Sequence, residues 1–207
     1  YHPVPDIGRA LFSAMGGPYT LGIQHGSAIR NNIFHDVTSY GYGGWGIYTD
    51  EGSSHIVIEN NLAYRCKSAN FHQHYGRENI IRNNIFAFGK EYQIMRTRME
   101  DHLSFIFEQN IVYWDSGELL GSNWKDDKYE MDHNMYWDTR GKDFKFAQWT
   151  FEEWQQRGMD THSFIMDPIF VNPSENNFEL KPGTPAWRIG FKPIDFSTVG
   201  PDPTILR

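Results

Sequence analysis

A repeated asparagine motif restricts the fold of this chain more than any other feature. In five short segments an asparagine follows an apolar residue by three positions and directly precedes another apolar residue. The asparagines are Asn32, Asn61, Asn84, Asn110 and Asn134. The steps between them along the chain lie in the period range of repeat architectures, and the step from Asn61 to Asn84 is the shortest. The sequence therefore predicts one structural unit per repeat over residues 29–140.

The repeats have the composition of strands. The segments around the asparagines are short and rich in β-branched and aromatic residues, whereas an amphipathic helix needs ten or more periodic residues. The connecting stretches, such as GYGG, DEGSS and YGREN, have the composition of turns. We therefore predict an all-β parallel solenoid. Each asparagine is expected to adopt the left-handed conformation at a corner and to bond the asparagine one coil away.

The repeat stops after Trp137, and the remainder differs in composition. Residues 1–140 are predicted to form the coils, and residues 141–207 an irregular cap over the open end of the solenoid. Within the cap, Thr150 and Glu153 form a capping-box pattern that predicts a short helix ending near Gly158. The aromatic residues expected to supply the cap are Phe144, Phe146, Trp149, Phe151, Trp154, Phe164, Phe170 and Trp187.

Charge and composition exclude several classes of partner. The 19 Lys and Arg residues against 26 Asp and Glu residues give a net charge of −7, which argues against nucleic acid and anionic membranes. The mean hydropathy is −0.61, and the sequence has no apolar run long enough to span a bilayer. The single cysteine, Cys66, excludes an internal disulfide and is expected to be a buried thiol.

Titratable residues recur at the coil spacing and predict a functional face. In a solenoid, equivalent positions of successive coils stack into rows. A nearly constant step connects the members of a first row, and a second row lies two positions earlier, so both would share one strand face. Burial of these charges would be costly, and an outward patch is expected. The first row is His25, Asp50, His74 and Arg98, and the second is Tyr48, His72 and Arg96.

The residues of this patch favour carbohydrate chemistry. Asp50 and Glu51 are adjacent carboxylates, and Glu100 lies two coils further, so an acid and a base for glycoside hydrolysis are available. His74 and Arg98 would bind hydroxyls or an anionic group. The aromatic rings expected to stack on sugars are Tyr48, Tyr75 and Trp124. His72, His74 and Asp50 also have the types of metal ligands, but the sequence fixes no third histidine nearby, and no metal is expected.

Longer motifs give the chain a family resemblance. It resembles the right-handed parallel β-helix proteins of the pectate-lyase-like superfamily, and within them the bacterial β-helical glycoside hydrolases with fucosidase and xylanase activities. The resemblance implies a groove along the helix side, acid/base carboxylates with Asp50 as the best match, and export from a bacterial cell to a secreted or periplasmic location. No cofactor is expected for a hydrolase. The motifs that carry the resemblance are GGWGIYTDEGSS, NFHQHYGRENIIRNNIFAFG, QIMRTRMEDHLS and the tail from DPIFVNP to PGTPAWRIGF.

Two alternatives to a hydrolase remain open. A polysaccharide lyase of the same fold would neutralise a uronate with an arginine or Ca²⁺ and would use a base such as Lys125. A non-catalytic solenoid would bind an oligo- or polysaccharide or serve a structural role. Because related proteins are usually longer, the chain is expected to be the C-terminal part of a longer β-helix. Its first coil would then be covered by an N-terminal remainder, by self-association, or by the residues around Pro3 to Met15.

Overall fold

The protein folds as a parallel β-solenoid of about six turns, which confirms the predicted all-β class. The computed structural model describes residues 13–196. Most of the Pro3–Met15 segment therefore lies outside the described residues. So do the beginning of the predicted coil region and the end of the predicted cap region. Each full turn contributes one strand to each of three parallel sheets, and every neighbouring pair within these sheets is parallel.

The three sheets run along the length of the solenoid. The first sheet contains β1 (Tyr19–Thr20), β4 (Trp45–Thr49), β7 (Ala69–Gln73), β10 (Tyr92–Arg96) and β13 (Glu118–Ser122). The second sheet contains β2 (Ala28–Arg30), β5 (Val57–Glu59), β8 (Asn79–Arg82), β11 (Phe105–Glu108) and β14 (Glu130–Asp132). The third sheet contains β3 (Ile33–His35), β6 (Leu62–Tyr64), β9 (Ile85–Ala87), β12 (Ile111–Trp114), β15 (Met135–Asp138) and β16 (Phe164–Ile165).

The core lies inside the triangle of sheets and is built from stacked apolar side chains. Ile47, Phe71, Ile94 and Leu120 are in register on the first sheet, and all four are buried in the largest apolar cluster. Burial of a side chain of this size contributes about 1.5–3 kcal/mol. The repetition of apolar residues at the coil period therefore holds the turns together.

The predicted asparagine ladder is confirmed. The side-chain oxygen of each asparagine from Asn61 to Asn134 accepts bonds from the backbone N–H and the side-chain amide of the preceding asparagine, at 2.9–3.3 Å. The expectation that these asparagines adopt the left-handed conformation is wrong, because the residue before each one turns the corner. These residues, with φ between 52° and 57°, are Asn31, Asn60, Asn83, Gln109 and His133.

A buried carboxylate ends the ladder. Asn134 donates its side-chain amide to Asp160 and its backbone N–H to the Ser163 hydroxyl. Asp160 also accepts bonds from the Tyr136 hydroxyl and the Trp154 indole N–H. Burial raises the pKa of Asp160, although these hydrogen bonds act in the opposite direction. The C-terminal segment thus continues the bonding pattern of the coils across the end of the solenoid.

The C-terminal segment covers the end and one flank of the solenoid. Helix α1 (Phe151–Gln156) begins at the predicted capping box of Thr150 and Glu153, and Trp154 packs against the core. Two antiparallel strands follow, with two short 3-10 helices, and their aromatic residues pack on the outer face of the third sheet. These elements are β17 (Phe170–Asn172), a 3-10 helix (Pro173–Glu175), β18 (Asn177–Leu180) and a 3-10 helix (Pro185–Ile189).

The exposure of Trp187 and of Cys66 can be compared with the sequence predictions. Trp187, which was expected to contribute to the cap, is 49% exposed. Cys66 is a free, buried thiol as predicted, and its burial raises its pKa to about 12. Within residues 13–196, no helix has the length and apolar character needed to cross a membrane.

Candidate functional site

The outer face of the first sheet carries a row of polar side chains, and its register differs from the sequence prediction. Tyr48 pairs with His72, and His72 pairs with Met95. The coil between β7 and β10 is therefore shorter by a single residue than the coil between β4 and β7. Just past the strand ends, the residues at equivalent positions of three successive coils are consequently Asp50, His74 and Thr97, and not Arg98. We call Tyr48, Asp50, His72, His74 and Thr97 the site row.

Asp50 is held by two tyrosine hydroxyls. Tyr48 donates its hydroxyl to one carboxylate oxygen at 2.7 Å, and Tyr19 of the preceding coil donates to the other. The hydrogen bond to Asp50, followed by burial, raises the pKa of Tyr19 to about 12. Burial and the hydrogen bond to the same carboxylate also raise the pKa of Tyr48. Both tyrosines are therefore protonated donors at neutral pH, and they fix the orientation of a half-exposed carboxylate.

His72 is the buried centre of the site row. Its ring stacks on Tyr48 with centroids 4.7 Å apart and is fully shielded from solvent. Burial lowers the pKa of His72 to about 3, with a further contribution from His74, so the ring is neutral at physiological pH. Its Nε2 lies 2.8 Å from the Thr97 hydroxyl, whereas its Nδ1 has no hydrogen-bond partner among the described residues.

Thr97 connects the two histidines, and sequence reasoning missed it. Its hydroxyl oxygen lies 2.9 Å from Nδ1 of His74 and 2.8 Å from Nε2 of His72. The same hydroxyl lies 3.4 Å from the His74 carbonyl oxygen. Because a hydroxyl has a single proton, it can donate to only one of these three groups, so at least one of the two rings must donate to it. The short asparagine step between Asn61 and Asn84 was the signal that indicated the shorter coil.

Arg98 and Tyr75 lie beside the site row rather than in it. The Arg98 guanidinium lies 4.5 Å above the centre of the Tyr75 ring, and the Tyr75 ring meets His74 edge-on at 5.1 Å. Arg98 is exposed, and Tyr75 and His74 are half-buried. The structure therefore brings both predicted residues to the edge of the site, where a cation and an aromatic ring face solvent.

The prediction that Arg96 lies on the outer patch is wrong. Because the coil between β7 and β10 is the shorter one, Arg96 pairs with Gln73 and points into the solenoid, where it is completely buried. Its guanidinium binds both carboxylate oxygens of Asp126, at 2.7 and 3.1 Å. A bidentate pair with a partly exposed aspartate neutralises the arginine, so the inward position is tolerated.

Two further predictions about the site are also wrong. Trp124 is 1% exposed, packs in the core and donates its indole N–H to the carbonyl of Gly121, so it offers no ring to a sugar. His25 stacks on His55 at 4.1 Å and lies outside the site row. The coil between β1 and β4 is as long as the first asparagine step, so Leu21 occupies the position assigned to His25.

The remaining predicted carboxylates and Lys125 do not contact Asp50. Glu51 is exposed in the turn that follows Asp50. Glu100 lies 3.2 Å from His102, in the loop after β10. Lys125 is exposed in the loop after β13. Within the described residues, the hydrogen bonds of the Asp50 carboxylate come from Tyr19 and Tyr48.

Two exposed tyrosines flank the site row on its N-terminal side. Tyr19 and Tyr42 are 49% and 56% exposed, and Tyr42 meets the buried Trp45 edge-on at 4.9 Å. The Trp45 indole N–H is buried with no hydrogen-bond partner among the described residues. Exposed aromatic rings beside hydrogen-bonding groups suit a ligand that is apolar on its ring face and polar at its edges.

Comparison with known proteins identifies the fold family. The family described as the right handed beta helix region matches residues 12–118. Searches of curated proteins and of solved structures give no match. The family match covers more than half of the chain and contains the site row. The protein therefore belongs to the right-handed β-helix family.

Proposed function

We propose that this protein is a glycoside hydrolase that cleaves plant or algal polysaccharide on the outer face of the first sheet. The right-handed β-helix is common among polysaccharide-active enzymes. The observation that carries the proposal is Asp50, a half-exposed carboxylate oriented by two tyrosine hydroxyls beside exposed aromatic rings. A sugar lying on Tyr19 would place its edge hydroxyls and glycosidic oxygen next to that carboxylate.

The proposed chemistry assigns Asp50 the ionised role. Glycoside hydrolysis needs one carboxylate that attacks the sugar or activates water, and one acid that protonates the leaving oxygen. Each Asp50 oxygen accepts one tyrosine hydroxyl, which leaves further acceptor capacity for a water or substrate hydroxyl. Glu51 and Glu100, in the turns next to the site row, are the candidate acids. His74 and Arg98 bind substrate hydroxyls or a carboxylate at the other end.

Replacement of Asp50 tests the proposal. The Asp50→Asn variant should release reducing ends from a panel of plant and algal polysaccharides about 100- to 10,000-fold more slowly than the wild type. Its thermal unfolding should change little, because the amide oxygen still accepts one tyrosine hydroxyl, and the amide NH₂ can donate to the oxygen of the other once that hydroxyl rotates. Glu51→Gln and Glu100→Gln identify the acid by the same assay. Unchanged turnover by Asp50→Asn overturns the assignment.

A lyase is the second candidate, and one observation favours it. Arg98 presents an exposed guanidinium over the Tyr75 ring, which in turn meets His74, and within the described residues no second carboxylate contacts Asp50. That arrangement suits neutralisation of a uronate and proton abstraction by an imidazole. Ultraviolet absorbance from an unsaturated product identifies a lyase directly. Calorimetric binding of oligosaccharide without turnover would instead identify a binding protein.

A further inference from the structure

A second cluster of titratable groups lies at the C-terminal end of the solenoid, away from the site row. Asp132 is the last residue of β14, and His133 follows it in the left-handed corner. His162 belongs to the segment that connects α1 to β16. One ligand atom from each of the three side chains lies within 4.8 Å of the other two. The cluster therefore joins the last complete coil to the segment that covers it.

The distances in this cluster are close to those between the ligands of a single ion. The Asp132 Oδ2 atom lies 2.7 Å from Nδ1 of His162 and 3.2 Å from Nδ1 of His133, so both ring nitrogens face the same carboxylate oxygen. Tetrahedral ligands at about 2.0–2.2 Å from a zinc ion are about 3.3–3.6 Å apart, so the His133 distance is already near that spacing and the His162 hydrogen bond must lengthen by less than about 1 Å. The two imidazole rings stack with centroids 4.9 Å apart.

The orientation and exposure of the cluster also suit a cation. The Asp132 carboxylate accepts the backbone N–H of His162 through Oδ1 at 2.7 Å, so its other oxygen, Oδ2, faces the two rings. The side chains of His133 and His162 are 46% and 66% exposed, so an ion can enter from solvent and retain water ligands.

We propose that Asp132, His133 and His162 bind a divalent transition-metal ion of the zinc type. Two imidazole nitrogens and one carboxylate select such an ion over Ca²⁺ and Mg²⁺, which prefer sites made of oxygen. The ion binds between Asp132 Oδ2 and the two Nδ1 atoms, with the proton of each ring on Nε2, and joins side chains that lie far apart in the sequence. Its structural effect is to fasten the covering segment to the last coil.

A second histidine pair provides a matched control. His25 and His55 also stack, with centroids 4.1 Å apart, and Glu78 lies 3.6 Å from Nδ1 of His55. Within residues 13–196, only Asp132, His133 and His162 place three ligand atoms within 4.8 Å of one another. A loss of binding that follows His162 but not His55 would therefore separate this site from general histidine binding.

Calorimetric titration of the whole chain with ZnCl₂ at neutral pH tests the proposal. The expected stoichiometry is one ion per chain. Because loss of groups that only orient a ligand costs about 10- to 100-fold in metal affinity, His162→Gln should weaken binding at least as much. His55→Gln should bind as the wild type does, and CaCl₂ and MgCl₂ should give no comparable binding.

Thermal unfolding supplies a second readout that does not depend on heat of binding. Zn²⁺ should raise the melting temperature of the wild type and of His55→Gln, and a chelator should reverse the effect. His162→Gln and Asp132→Asn should show a much smaller rise. Wild-type zinc affinity in a His133→Gln/His162→Gln double variant, or no zinc binding by the wild type, overturns the proposal.

Discussion

Two polar rows run along this solenoid, the asparagine ladder and the site row. They differ in how many of their hydrogen-bonding groups are satisfied within the row. The asparagine ladder repeats one residue type, and each side-chain amide after that of Asn32 both accepts from one neighbour and donates to others. The site row contains a different residue in each coil, so its members do not bond as a chain of equivalents. When coils stack about 4.8 Å apart, identical amides satisfy the donors and acceptors of one another. Unlike residues in a row leave some donors and acceptors free to bind a ligand.

Burial shows the same contrast. Asn61, Asn84 and Asn110 are completely buried, and their side-chain amides are all bonded. In the site row, His72 is completely buried but has a ring nitrogen with no partner among residues 13–196. An unpaired buried group costs about 1–3 kcal/mol. The ladder therefore stabilises the fold, whereas the unpaired nitrogen of His72 makes the site row less stabilising.

The largest effect on stability is expected from the centre of the ladder. Asn84→Ala removes the acceptor of the Asn61 backbone and side-chain N–H groups and the donor to the carbonyl of Ile58. Because these partners are left unpaired in the core, the free energy of unfolding should fall by about 3–5 kcal/mol. Urea denaturation measures this loss.

The end of the ladder provides the control. Asn32 is half-buried, and its side chain donates to Asn61 and to the carbonyl of Arg30 without accepting from a further asparagine. Asn32→Ala should therefore cost only about 1 kcal/mol. Equal losses for Asn32→Ala and Asn84→Ala would contradict the account of the ladder.

A smaller effect is expected from the pH dependence of the site row, because amides do not titrate and His72 does. The pKa of His72 falls from 6.5 to about 3 on folding. Below pH 6.5, His72 is therefore protonated in the unfolded chain but remains neutral in the folded protein. The stability that the neutral ring provides is fully present above pH 6.5 and is lost as the pH falls towards 3. Between pH 8 and pH 5 this histidine should lower the free energy of unfolding by about 2 kcal/mol.

Replacement of His72 by phenylalanine isolates this contribution. His72→Phe retains a ring to stack on Tyr48 but cannot titrate. Urea denaturation at pH 8 and pH 5 should give a smaller difference for the variant than for the wild type. An identical pH dependence in the two proteins would show that His72 is not held in its neutral form.

The smallest effect is expected from the hydroxyl between the two histidines. Thr97→Val conserves the shape of the side chain but removes the group that lies between His72 and His74. Stability should fall by about 1 kcal/mol, from the unpaired ring nitrogen of His72. On a polysaccharide that the wild type cleaves, kcat should fall more than KM rises, and Thr97→Ser should restore it. A variant with unaltered kcat would limit Thr97 to a structural role.

The sequence was sufficient to predict the features that short segments encode. The solenoid, the ladder and the capping box of α1 each follow from a pattern confined to a few neighbouring residues. Register was predicted less well, because the coils along the first sheet differ in length, the longest lying between β1 and β4 and the shortest between β7 and β10. Because a nearly constant step was assumed, Arg96 was predicted at the surface although it lies in the interior. For the same reason, His25 was predicted at the position that Leu21 occupies.

The parts of the site that depend on the chain returning from a distance were not predictable. Tyr19 reaches Asp50 only because β1 pairs with β4 across the longest of these coils. His162 meets Asp132 only because the chain returns to the third sheet after α1. Neither contact leaves a periodic signal. Both require the geometry of the turns, which the composition of a loop does not specify.

The sugar-binding role of the site row is best tested by a crystal structure of Asp50→Asn with a bound oligosaccharide, because this variant should retain the fold and cleave slowly. We expect a sugar on the outer face of the first sheet, with one ring against Tyr19 and a glycosidic oxygen next to residue 50. An oligosaccharide bound on the second or third sheet, with the site row unoccupied, would contradict it.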